Sequence, residues 1–229
     1  MTQTFSTALM LHIGSGFVLV AIGLIPLLTR KGGPGHRYWG RVYVAVMTVL
    51  LAAAWTMTLL RFRPYFAALS VMATVSLTSG VRVLKRKRPD LDPRQRAGLF
   101  DWAVLLAAVG IGGYVLWLLQ GGGQVEQRPI AYALVGSAML YGLWDGWRYL
   151  KPTAFPFFPD LWFYEHLFKM MGTYAAVLSA FAGNFLPFLP SPWRELWPTL
   201  LFEALTVVLI VRYALTRRRR RPEDGALAA

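Results

Sequence analysis

Residues 7–29 read TALMLHIGSGFVLVAIGLIPLLT, a run in which His12 is the one ionisable side chain. A helix crossing a hydrocarbon core of about 30 Å needs about 20 mostly apolar residues, and this run meets that length. It lacks the basic n-region and small-residue cleavage site of a signal peptide, so it is expected to be retained. Six more runs of the same kind follow, at approximately 42–60, 65–84, 99–120, 130–150, 161–186 and 198–215. They lack the period-2 alternation of strands and far exceed strand length. Helices satisfy their backbone groups internally, which lipid requires. The expected fold class is therefore all-α: one seven-helix transmembrane domain over residues 1–215, followed by a basic tail over 216–229.

The 229-residue chain is 56% hydrophobic and 15% charged, with a net charge of +13 and no cysteine. A soluble domain is nearer 25% charged, and a disordered chain has few apolar residues, so neither class fits. Without cysteine there is no disulfide framework, thiolate metal site, c-type haem attachment or Cys nucleophile.

The basic residues are distributed by side. Nineteen fall on one side of the seven runs: Arg30, Lys31, Arg37 and Arg41; Arg82, Lys85 to Arg88, Arg94 and Arg96; Arg148 and Lys151; Arg212 and Arg217 to Arg221. The opposite side has Arg61, Arg63, Arg128 and Arg194, and Lys169 falls within a run. The positive-inside rule then places the N-terminus outside and the C-terminus in the cytoplasm, as expected for a bacterial inner-membrane protein. Tryptophans at 39, 102, 147 and 162, and at 55, 117, 193 and 197, fit two interfacial belts. No nucleic-acid partner is expected. The expected partners are the lipid bilayer, with anionic lipids at the basic loops and tail; an oligomer is compatible with this pattern but not specified by it. Turn chemistry marks the connections at 32–35, 89–93, 121–123 and 187–192, and the Pro- and Phe-rich stretch 151–160 is expected to lie along the inner interface.

Small residues at Gly142 and Gly146, Gly16 and Gly23, and Gly110 and Gly113 are expected where helices approach closely. Ser70, Thr74 and Thr78 form a hydroxyl stripe, read as interhelical bonding or a polar wall.

Ionisable groups within the runs are expensive and are the candidate site residues. A cytoplasmic-side group holds Asp101, Asp145, Glu165, His166 and Lys169, with His36 and Arg37 entering from the first loop. Glu165 and Lys169 are i, i+4 neighbours in the favourable order, with Asp145 as a second partner for Lys169. An outer group holds His12, Asn184 and Glu203 at similar depth. Either group could form ligand-binding or proton-carrying sites, or simply ion pairs that orient helices. Haem b needs axial ligands, and His36 with His166 is the one bis-His combination on a common side, with His36 expected in a Gly-rich loop. Retinal chemistry fits poorly, because Lys169 lies in the sixth run and the seventh has no lysine. No hydrolase, metalloprotease or P-loop pattern is present, so no enzymatic reaction is indicated.

Three segments carry a resemblance: Leu11-His12-Ile13 with Gly16-Phe17; Lys31-Gly32-Gly33 with His36-Arg37 and Gly40-Arg41-Val42-Tyr43; and His166, Met170 and Tyr174 with Ala180-Phe181 and Asn184. Together they resemble a family of bacterial multi-pass membrane proteins known as a domain of unknown function. The resemblance implies that His12, His36, His166 and Asn184 belong to recurring motifs, and it implies no activity. The expected function is binding or translocation of a small ligand, ion or proton through a cytoplasm-facing polar pocket. The alternatives are a haem- or metal-binding redox protein and a structural or assembly protein.

Overall fold

A computed structural model describes residues 2–121, 128–152 and 160–226. The glycines at 122 and 123 and most of the Pro- and Phe-rich stretch lie outside the described residues, as do the side chains of the tail from residue 217. The elements are α1 (Thr2–Ile22), α2 (Leu24–Leu28), α3 (Pro34–Leu60), α4 (Pro64–Arg82), α5 (Leu99–Gln120), α6 (Arg128–Leu150), α7 (Leu161–Phe185) and α8 (Trp193–Ala226), with 3-10 turns at Val83–Lys85 and Pro93–Gln95. No strand occurs among the described residues.

Among the described residues, five segments are long and apolar enough to cross a membrane: Thr2–Leu28, Pro34–Leu60, Pro64–Lys85, Pro93–Gln120 and Trp193–Thr216. The other two long helices, α6 and α7, are the ones that carry Asp145, Arg148, Glu165 and Lys169. Their polarity is concentrated on buried positions.

Local chemistry sets the boundaries. The first apolar run is two helices, because Pro26 cannot donate to the carbonyl of Ile22 and the chain breaks at Gly23. That glycine also lets α7 approach: a Cβ at Gly23 would lie 2.3 Å from Tyr174 Cε2. The Tyr174 hydroxyl donates to the Val20 carbonyl at 2.8 Å beside the break. The helix of the second expected run, α3, starts at Pro34, eight residues before the expected position 42, with extended Gly33 as its cap and proline at N1. His36 and Arg37 thus lie in the first helical turn, which corrects the expectation of a loop. The last helix continues beyond 215 to Ala226, so helix and tail are one element.

Successive long helices run in alternating directions. One end of the bundle carries the 29–33 and 83–98 connections, beside the start of α7, and is called the basic end. The distal end carries residue 2 and the 61–63 and 186–192 connections. The most buried helix is α4, which packs on α3, α5, α6 and α7. It divides the interior in two. Leu19, Tyr43, Met47, Leu77, Met171 and Phe202 form a core between α1, α3, α4, α7 and α8. Val71, Val75, Ala108, Val115, Val135 and Ala138 form the core that α4 shares with α5 and α6.

Two expectations about helix contacts change. Gly142 and Gly146 do face α5, at 3.5 Å from Val109 and 3.2 Å from Leu105, measured from a Cβ built on each. Gly110 and Gly113 face open space, and Gly112 packs on Met139 instead. In the hydroxyl stripe Ser70 borders a cavity at the distal end, while the two threonines bond back onto α4. Thr74 bonds to the Ser70 carbonyl at 2.7 Å and Thr78 to the Thr74 carbonyl at 2.6 Å, while Trp55 Nε1 donates to Thr74 Oγ1 at 3.0 Å.

Candidate functional site

The expected cytoplasmic-side residues gather at the basic end, where most are paired with one another or with neighbours. Asp101 occupies the first turn of α5 and accepts the Gly98 N–H at 2.9 Å, which caps the helix. Its carboxylate also takes a two-point contact from Arg82, at 3.0 and 2.6 Å, and one from Arg86 at 3.1 Å. Lys169 of α7 is ion-paired with Asp145 of α6 and bonded to Ser79 of α4. Glu165 pairs with Arg148 at 3.2 Å and accepts from Trp144 Nε1 at 2.6 Å. The expected Asp145–Lys169 pair forms, while the expected Glu165–Lys169 pair along one helix does not; the result is two pairs between α6 and α7. Both side chains reach across the helix interface, where burial strengthens the attraction. Arg148 was not among the expected site residues; its place near the end of a run marks it only as a loop cation.

His166 Nδ1 lies 2.7 Å from the Gly80 carbonyl, and His36 Nδ1 lies 3.0 Å from the Pro26 carbonyl. A carbonyl only accepts, so both imidazoles donate from Nδ1. Their rings meet edge to face, with centroids 6.4 Å apart. Lys31, from the connection between α2 and α3, donates to the carbonyls of Pro26 and Leu27, and burial lowers its pKa from the ordinary lysine value. Arg37 is exposed and does not join this cluster.

A cavity of about 10 Å³ lies among Ser79, Arg82, Asp101, Asp145 and Tyr149. Such a space holds about one water. Of the expected residues, Asp101 and Asp145 border this small void, and Asp101, Asp145, Glu165 and Lys169 are all held in ion pairs.

A much larger cavity, about 510 Å³, lies at the distal end between α1, α3, α4, α7 and the start of α8. Its wall includes Phe17, Phe181 and Phe185, which pack together with ring centroids 5.0 to 5.6 Å apart. Arg61 and Arg63, both exposed, also line it, and the Arg61 guanidinium sits 4.4 Å above the Phe5 ring. Two of the three expected outer residues, His12 and Asn184, border this cavity. Glu203 does not. It is exposed on α8, while His12 Nδ1 turns to the Leu50 carbonyl of α3 at a long 3.4 Å.

The carboxylate that does border the cavity is Glu195, in the first turn of α8. Arg194 Nε donates to its Oε1 at 2.7 Å, and its Oε2 is buried with no hydrogen-bond partner. Sequence reasoning missed it because it falls just before the apolar run of the last helix. The signal was an acid at a helix N-terminus, which favours negative charge.

Among the described residues, no group of three or more His, Asp or Glu side chains is arranged to hold a metal ion. The chain matches no family model, no curated protein and no solved structure.

Proposed function

We propose that the chain is an integral membrane protein of seven spans in a bacterial cytoplasmic membrane, outside at its N-terminus and cytoplasmic at its C-terminus, that binds a small amphipathic ligand in the distal cavity. The observation that carries this reading is the 510 Å³ cavity bordered by aromatic rings together with His12, Asn184 and Glu195. Ligand sites are concave, mostly apolar and provided with a few convergent polar groups, at volumes of about 300–1,000 Å³. The nineteen-to-four bias of basic residues supports the orientation, which makes the distal end the outer one. The closed ion pairs at the basic end serve in this reading as the fastening between α4, α6 and α7.

Native mass spectrometry of the full chain, released from detergent, tests the binding. The wild type should retain an adduct of a few hundred daltons, and Ala180→Trp, which fills the cavity, should abolish it with folding intact. A wild-type chain that carries no adduct under gentle release, or an adduct that survives Ala180→Trp, overturns this site.

One observation favours a second reading, a two-imidazole metal or haem site: His36 and His166 approach edge to face with both Nδ1 atoms held by carbonyls, as ligating histidines are held. Metal analysis and a visible spectrum of the purified chain test it. Stoichiometric metal or a Soret band, lost in His166→Ala, would support it; their absence removes it.

A further inference from the structure

Resting on the reading of the distal cavity as a ligand site, the geometry points to a long-chain fatty acid, its carboxylate at Arg61 and its alkyl tail along α3, as the class of ligand it takes. The cavity is drawn out along that helix. Met47 and Arg61 both line it, and at 1.5 Å per residue they lie about 21 Å apart. The lining positions farthest from the distal end, Met47, Leu51, Ala73, Ala176 and Val177, are all apolar. Small residues leave the room: Gly16, Ala54, Ala73, Ala176 and Ala180 present little or no side chain to it. The polar side chains at mid-depth, His12, Thr58 and Ser70, include no acid and no obligate cation, so nothing there calls for an ionic head.

The charge at the mouth sets the head. Arg61 follows the last turn of α3 as its cap, and its guanidinium is seated on the Phe5 ring at 4.4 Å. Among the described residues its side chain has no hydrogen bond and no ion pair. The ring contact orders the side chain while N–H donors remain, and a planar guanidinium matches a carboxylate at two points. Arg63 also borders the cavity but already has a partner, so the head is not assigned to it. Glu195 is the acidic side chain along the wall, and Arg194 neutralises it at 2.7 Å. An ammonium head would meet a like charge at Arg61, and a neutral head would leave that charge uncompensated. Tyr65, in the first turn of α4, adds an O–H at the same mouth, and Asn184, in the last turn of α7, adds the N–H not given to Ala180. A volume of about 510 Å³ suits one drug-sized molecule, and a two-tailed phospholipid exceeds it. In the proposed orientation, a fatty acid in the outer leaflet has its carboxylate at the interface and its tail pointing inward, the direction in which the cavity runs.

The test is binding of radiolabelled palmitate to the full chain in phosphatidylcholine nanodiscs, with empty nanodiscs subtracted, at a mildly alkaline pH that ionises the carboxylate. Hexadecanol, with the same tail and a neutral head, and octanoate, with the same head and a shorter tail, should each compete at least tenfold less well than unlabelled palmitate. In Arg61→Gln, palmitate affinity should drop about tenfold and the preference over hexadecanol should fall below threefold. Equal competition by palmitate and hexadecanol in the wild type, or a preference unchanged in Arg61→Gln, overturns the inference. Phosphatidylglycerol built into the nanodisc should leave palmitate bound; if it displaces palmitate, the anionic head belongs to bilayer lipid and the inference falls. If palmitate does not bind while the wild type still carries an adduct that Ala180→Trp abolishes, the cavity serves another ligand and only the inference falls. If that adduct is absent too, the underlying site reading falls with it. Circular dichroism and gel filtration of each variant separate lost binding from lost folding.

Discussion

Lys169 of α7 and Asp145 of α6 face each other across a helix interface from which solvent is almost excluded, the two residues being 2% and 3% exposed. Ser79 of α4 closes the arrangement from the third side. Three helices are thereby tied at one point, near the closest approach of α4 and α7, where a Cβ on Gly80 would lie 3.0 Å from Lys169 Cβ.

Removing one member of this pair leaves a buried charge uncompensated. Lys169→Met is expected to cost about 3–5 kcal/mol, while the double variant Lys169→Met with Asp145→Leu should recover much of that loss. Unfolding of each variant in mixed micelles measures the difference. A single variant within about 1 kcal/mol of wild type would show that solvent or another cation compensates Asp145.

Close approach at Gly23 makes a sharp contrast with Gly110. An added methyl at Gly23 meets the Tyr174 ring, whereas at Gly110 it meets nothing within 4 Å. Gly23→Ala should therefore destabilise by about 1–3 kcal/mol through overpacking. Gly110→Ala should be neutral or stabilising by about 0.5–1 kcal/mol through helix propensity. Thermal melts of the two variants, run side by side, test the pairing of α1 with α7.

Asp101 joins the cap of α5 to Arg82 at the end of α4 and Arg86 just beyond it. Each charge-assisted bond is worth about 1.5–3 kcal/mol, so Asp101→Ala should cost at least one such increment, and Asp101→Asn less, because the amide oxygen still accepts. Hydrogen exchange should rise in the first turn of α5 in Asp101→Ala. Protection equal to wild type there would show that the cap is redundant.

The cysteine-free chain suits a topology test. In whole cells, Arg63→Cys should react with a membrane-impermeant maleimide, and Arg94→Cys should react only after permeabilisation. The reverse pattern would invert the orientation proposed from the basic residues.

The helices were legible because each stays apolar for far longer than a strand, and lipid-compatible length is a local property of the chain. Turn chemistry was legible for the same reason, although Pro34 moved a boundary by eight residues: a proline reads equally as loop breaker and as helix start. The candidate charges were legible as a set, since an ionisable side chain in an apolar run stands out in one dimension. Their partners were legible only in part: Asp145 was expected as a second partner for Lys169 and is its ion pair, whereas Arg148 was not expected as the partner of Glu165. Glu165 and Lys169 are four residues apart and suggest a pair, yet each bonds to α6 instead.

The same limit explains the outer group. Depth along the helices placed His12, Asn184 and Glu203 together, but depth leaves the rotation of each helix open. Rotation puts Glu203 on the exposed face of α8 and Glu195, two turns earlier, beside the cavity. By itself the sequence determined that this chain is a set of long apolar helices with a strong one-sided charge bias, because hydropathy and charge are summed along the chain. Only the tertiary structure decided which polar groups close on each other and which border a space, because pairing and cavities depend on how helices turn their faces to one another.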